Sequence, residues 1–106
     1  MRLKFDDESL FPVQAFFNAI SDDCFLKVIS SLIERVSYSI NDCHCDFPND
    51  LDDDEEFFSG VRFSLYEDII IISSKELSKY INIACKSFLE KHPEQELKIK
   101  KLLVRN

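Results

Sequence analysis

Gly60-Val61-Arg62-Phe63-Ser64-Leu65-Tyr66-Glu67-Asp68-Ile69-Ile70-Ile71-Ile72-Ser73-Ser74-Lys75-Glu76 is the stretch on which the fold turns. Val61, Phe63 and Leu65 alternate with Arg62, Ser64 and Tyr66, a period of two that predicts a strand over residues 61–66 with one buried face. The four isoleucines that follow are β-branched throughout, and the strand over residues 69–73 is expected to be buried on both faces. A hairpin through residues 66–68 is the simplest joining. No Asn-Gly or Asp-Gly turn is present, so the register stays open. Ser73 with Glu76 three residues on is a capping box, and Leu77, Tyr80, Ile81, Ala84, Phe88 and Leu89 continue it as a helical stripe. His92-Pro93 should end that helix, because the residue before proline is pushed out of the α region.

Upstream of this stretch, Val13, Phe16, Phe17 and Ile20 recur at helical spacing, and Pro12 fits a first helical turn. Ser21-Asp22-Asp23 is a cap region for a second helix striped by Phe25, Val28, Ile29, Leu32, Ile33 and Val36, expected to end near Tyr38. The two helices either break at Ser21-Asp22 or pack as a hairpin. Residues 41–59 lack a helical period and read as a long irregular connection pinned to the core by Phe47, Leu51, Phe57 and Phe58. Downstream of Pro93, Leu97, Leu102 and Leu103 among lysines predict a final short helix. The expected fold is α+β: an N-terminal helical pair, a small antiparallel β-sheet, and a C-terminal helix or helix pair packed on the sheet. With 106 residues and 45% apolar content, residues 1–106 suffice for a single domain whose core needs neither disulfide nor metal.

The net charge of −7 is concentrated. No Lys or Arg lies between Arg35 and Arg62, and that gap holds eight acids, leaving the rest of the chain with 13 basic and 12 acidic residues. Such a field repels phosphate, which argues against direct nucleic-acid or anionic-membrane binding and in favour of a cationic protein partner. The N-terminus lacks the apolar core of a secretory signal, and the longest apolar run, residues 69–72, is far short of a bilayer span. Cys24, Cys43, Cys45 and Cys85 then suit a reduced, cytoplasmic protein, with Cys24 and Cys85 as small buried residues on helix faces.

Sites for chemistry are sparse. Cys43-His44-Cys45 invites a metal-binding reading, but C-x-C is not the spacing of a structural zinc site, and the plainer reading is loop thiols. Counting Asp50 as the first position of a calcium loop puts Glu55 where glycine is needed and Val61 where the bidentate glutamate is needed, which excludes an EF-hand there. His44 and His92 belong to no nucleophile arrangement, and a chain whose one glycine is Gly60 cannot build a glycine-lined phosphate cradle. Glu67 and Asp68 read as solvated turn residues. Neither a catalytic residue nor a cofactor is expected. What remains is an acidic segment bracketed by aromatics: Asp46, Asp50, Asp52, Asp53, Asp54, Glu55 and Glu56 with Phe57 and Phe58. Complementary charge speeds association and selects partners, while aromatic anchors supply binding energy.

The order of fragments along the chain adds to this. Phe16-Phe17-Asn18-x-Ile20, Phe25-Leu26, Cys45 followed by Phe47-Pro48-Asn49-Asp50-Leu51-Asp52, then Gly60-Val61-x-Phe63-Ser64, Ile71-x-Ser73 and Lys91-His92-Pro93-Glu94 resemble the ribonuclease-toxin immunity proteins of contact-dependent growth inhibition systems, over about residues 13–104. The resemblance implies a cytosolic antitoxin without catalytic residues, whose partner is the C-terminal nuclease domain of a cognate toxin. On that reading the acids of residues 50–56 occupy a basic cleft in place of phosphates, with Phe57 or Phe58 as anchor; whether inhibition acts at the active site or at an exosite stays open. The rivals are an acidic adaptor for another basic partner and a metal-binding protein using Cys43, His44 and Cys45.

Overall fold

A computed structural model describes residues 3–50 and 58–106. Asp7 opens the first structured segment: its carboxylate accepts from the Ser9 backbone N–H at 2.9 Å and the Ser9 hydroxyl at 2.7 Å, capping a 3-10 turn over Glu8–Leu10. These bonds hold the carboxyl below its usual range. Helix α1 follows over Phe11–Asn18 with Pro12 in its first turn and Val13, Phe16 and Phe17 buried. The chain breaks after α1, and a second 3-10 turn over Asp22–Cys24 leads into α2, Phe25–Ile33. Both sequence-predicted helices are present, as separate elements.

Helix α2 stops earlier than its apolar stripe suggests. Arg35 adopts φ 64°, and the Val36 N–H donates to Ser31 O while the Arg35 N–H donates to Leu32 O. This is the left-handed Schellman ending, which satisfies the last carbonyls and turns the chain away. Val36 therefore leaves the stripe and is exposed.

Four strands form an antiparallel meander in the order β1 (Tyr38–Ile40), β2 (Cys43–Asp46), β3 (Val61–Leu65) and β4 (Asp68–Ile72). The expected irregular stretch from residue 41 thus holds a strand, and β1 precedes it. The missed signal was a short alternation: Cys43, Cys45 and Phe47 are buried while His44 is exposed. Two-residue turns at Asn41-Asp42 and Tyr66-Glu67 close the two hairpins, pairing Ile40 with Cys43 and Leu65 with Asp68.

One face of the sheet is packed. Phe63 faces Cys45 on one side and Ile70 on the other, and its ring meets Phe16 at 5.4 Å and Phe17 at 6.1 Å between centroids. The Phe16 contact is edge-on at 76° and the Phe17 contact tilted at 33°; such aromatic packing buries large area, and the edge-on pair does so with favourable quadrupole geometry. Helix α1 covers the centre of the sheet. Helix α3, Ser74–Lys91, begins with the complete Ser73/Glu76 capping box, and α4 spans Glu96–Val104. Leu77, Tyr80, Ile81, Ala84, Cys85 and Phe88 of α3 and Ile99 of α4 enter the same core. Phe88 stacks on Phe25 at 4.2 Å, tying α3 to α2. The architecture is α+β with N-terminal helices, an antiparallel sheet and a C-terminal helix pair.

The double burial expected for residues 69–72 does not occur. Strand β4 lies at the sheet edge, so its alternation splits the run: Ile72 is buried and Ile70 partly so, whereas Ile69 and Ile71 are exposed.

Candidate partner-binding surface

The acidic segment occupies the connection between two bonded strands. Its near end is fixed where Asp46 pairs with Arg62 in the β2–β3 register; Asp46 Oδ2 lies 3.3 Å from Arg62 Nη2, both side chains half-buried. Phe47 then turns into the core, 1% exposed, and its N–H donates to the Ser37 hydroxyl at 3.1 Å. The Arg35 guanidinium sits 5.7 Å from the Phe47 ring centroid, and the Asn49 amide donates to Arg35 O. Pro48–Asp50 form a 3-10 turn. At the far end Phe58 is buried with Arg62 4.7 Å from its ring centroid, a cation-π contact.

Phe47 and Phe58 thus anchor the segment at both ends, as the sequence suggested. Asp52, Asp53, Asp54, Glu55, Glu56 and Phe57, with Leu51, lie outside the described residues. Asp46 stands on the rim of the open sheet face. Phe58 is engaged by Arg62, so it stabilises the frame in this structure.

Gly60 ends the connection at φ 102°. A Cβ there would lie 2.4 Å from Ile72 O, so only glycine admits the close passage of the chain into β3.

Strand geometry also disposes of the metal reading. Alternation along β2 sends Cys43 and Cys45 into the core and His44 to the open face, where its Nδ1 lies 2.7 Å from Ser39 Oγ. Three donors on two faces cannot share an ion, and among the described residues no group of three or more His, Cys, Asp or Glu side chains could hold one. Burial pushes the Cys45 and Cys43 thiols up, Cys45 strongly, and raises Cys85 to about 12, keeping these sulfurs protonated and unreactive. Cys24, expected to be buried, is exposed in its 3-10 turn. His92 is held between Asp22, 3.0 Å from its Nε2, and Glu94, 3.5 Å from its Nδ1, where it joins the end of α3 to the start of the α2 segment. The bond to His92 lowers the Asp22 carboxyl.

The open face carries Ser39, His44, Ser64 and Ile69 in one cross-strand row and Asp46, Arg62 and Ile71 in the next. Its polar members are those of a solvated antiparallel face. Its isoleucines were missed by reading the run as doubly buried. Among the described residues, no helix is long and apolar enough to cross a membrane.

No curated protein matches this sequence. The family described as CDI immunity protein matches residues 9–103, nearly the whole length over which the fold has been traced. The chain therefore belongs to the CDI immunity protein family.

Proposed function

We propose that this immunity protein binds the C-terminal ribonuclease domain of a cognate toxin in the cytoplasm and blocks it by covering a basic active-site or RNA-binding surface with its acidic segment. The single domain acts by binding and performs no catalysis. The observation that carries this reading is the concentration of charge next to fixed flanks: seven acids occur between residues 46 and 56, Asp46 pairs with Arg62 in the sheet, and Phe47 and Phe58 on either side are buried. Negative charge concentrated in one segment favours a cationic cleft and repels RNA itself. Protonated buried thiols, and histidines engaged by Ser39 or by Asp22 and Glu94, support a binding role over a chemical one.

Stopped-flow association with the C-terminal domain of the toxin encoded beside this protein tests the mechanism. Changing Asp50, Asp52, Asp53 and Asp54 to Asn and Glu55 and Glu56 to Gln should slow association at least about tenfold at low ionic strength and flatten its salt dependence, since the Debye length is only about 8 Å in physiological salt. An unchanged association rate overturns the acidic mechanism. Absence of binding by the unaltered protein overturns the assignment of a ribonuclease partner.

A further inference from the structure

We infer that the β4 margin of the sheet, built from Tyr66, Ile69, Ile71 and Phe11, is an apolar contact patch for a cationic face of the toxin domain. The inference rests on the immunity reading and extends it to residues outside the acidic segment. Ile69 is 62% exposed and Ile71 48%. They lie on an edge strand, where exposed β-branched side chains invite unwanted pairing and where charged residues or proline are the usual protection. Phe11, 47% exposed, faces a groove of about 390 Å³ shared with Ile69 and the carboxyl-bearing residues Glu8, Glu67 and Asp68.

Tyr66 supplies an independent observation. It is 76% exposed, yet it occupies a two-residue turn at φ 55°, a conformation that suits Asn or Gly and costs a bulky side chain energy. Its hydroxyl donates to Asp42 Oδ2 at 2.9 Å, which pins the ring across the ends of both hairpins. An aromatic ring kept at a strained position and held still contributes nothing to the core; it is a pre-organised anchor that loses little entropy on binding.

Charge selects the occupant. No Lys or Arg occurs between Arg62 and Lys75 or between Lys4 and Lys27, so Glu8, Glu67 and Asp68 have no basic neighbour in sequence, and Arg62, which lies beside Ile71 across the sheet, is ion-paired with Asp46. Among the described residues, the other exposed large apolar side chains are Ile83, Leu97 and Val104 on α3 and α4 and Val36 between α2 and β1, none of them on β4 or its turn. A partner with a positive rim around an apolar centre fits. The five residues of β3 set Tyr66 roughly 17 Å from Val61 at the far end of the strand, a span within one standard interface of about 800 Å² per partner.

Dissociation of the same toxin domain from Tyr66→Asn and from the double variant Ile69→Thr/Ile71→Thr is the test. Each should dissociate at least about tenfold faster than the unaltered protein, while the association rate and its salt dependence stay unchanged. Leu97→Thr, an exposed position on α4, should leave both rates alone. Tyr66→Asn relieves the turn, so its unfolding temperature should not fall, which separates lost contact from lost fold. Dissociation within about twofold of the unaltered protein, or an equal effect from Leu97→Thr, overturns the inference while leaving the acidic mechanism standing. So does a patch variant that turns a dimer of the free chain into monomers without altering toxin release. If the unaltered protein fails to bind the toxin domain, both readings fall.

Discussion

The two hairpins of the sheet use the same turn with different residues. Asn41 opens the first at φ 54° and Tyr66 the second at φ 55°, each with an acid, Asp42 or Glu67, as the second turn residue. Asparagine accepts this left-handed conformation because its short side chain crowds little against the backbone, whereas tyrosine does so only against a steric cost. The flanking strands differ in the same sense. In the first hairpin the apolar side chains of β2 point inward, while in the second two of the four isoleucines of β4, Ile69 and Ile71, face solvent. The first hairpin follows the rules of folding throughout, and the second departs from them at the turn and along the edge. Departures of this kind are where a selected function is found, since the exposed Ile69 and Ile71 side chains add nothing to the core.

The largest expected effect breaks the contrast between the faces. Phe63→Ala leaves a void against Phe16 and Phe17 beneath the junction of the hairpins and should cost about 3–5 kcal/mol in denaturant unfolding. The exposed Ile69→Thr should change stability far less. If the two variants unfold at similar denaturant concentration, the division into a packed and an open face is wrong.

Exchanging the turn residues sharpens the contrast. Asn41→Tyr should destabilise the protein by about 1 kcal/mol and Tyr66→Asn should stabilise it by a comparable amount, both read from equilibrium denaturation. Shifts in the same direction would mean that the two turns do not share a conformational preference.

The smallest effect is a titration. The hydrogen bond to Asp42 and its charge raise the Tyr66 phenol above 10.0. Because the folded state favours the protonated phenol, the contribution of this bond is fully present below the ordinary tyrosine value and fades as pH rises through the folded one. Phenolate absorbance should therefore show a late-ionising tyrosine that returns toward its ordinary value in Asp42→Asn, and a titration unchanged by that substitution would remove the link between the turns.

Much of this was readable in the residues. The alternation of Val61, Phe63 and Leu65, the Ser73/Glu76 box and the His92-Pro93 stop all specify local geometry through spacing, and each element formed. The β1–β2 hairpin escaped because two of its inward positions are cysteines, which count weakly in an apolar pattern although the core treats them as small hydrophobes. The exposure of Ile69 and Ile71 escaped for a different reason: composition of a strand says how readily it forms, while its place at the edge depends on which strands precede it. The acidic segment was evident from charge, and the buried ends that hold it were evident from Phe47 and Phe58. The pinning of Tyr66 by Asp42, 24 residues away, has no local signature.

Two fixed posts carry the strand connection, Phe47 with its bond to Ser37 on one side and Phe58 under Arg62 on the other. On the mechanism proposed above, recognition rests on the acids between them in sequence, while the β2–β3 register is set by residues outside that stretch. On that mechanism an immunity gene can follow a toxin that changes its face by rewriting those acids, with the strands on either side left as they are.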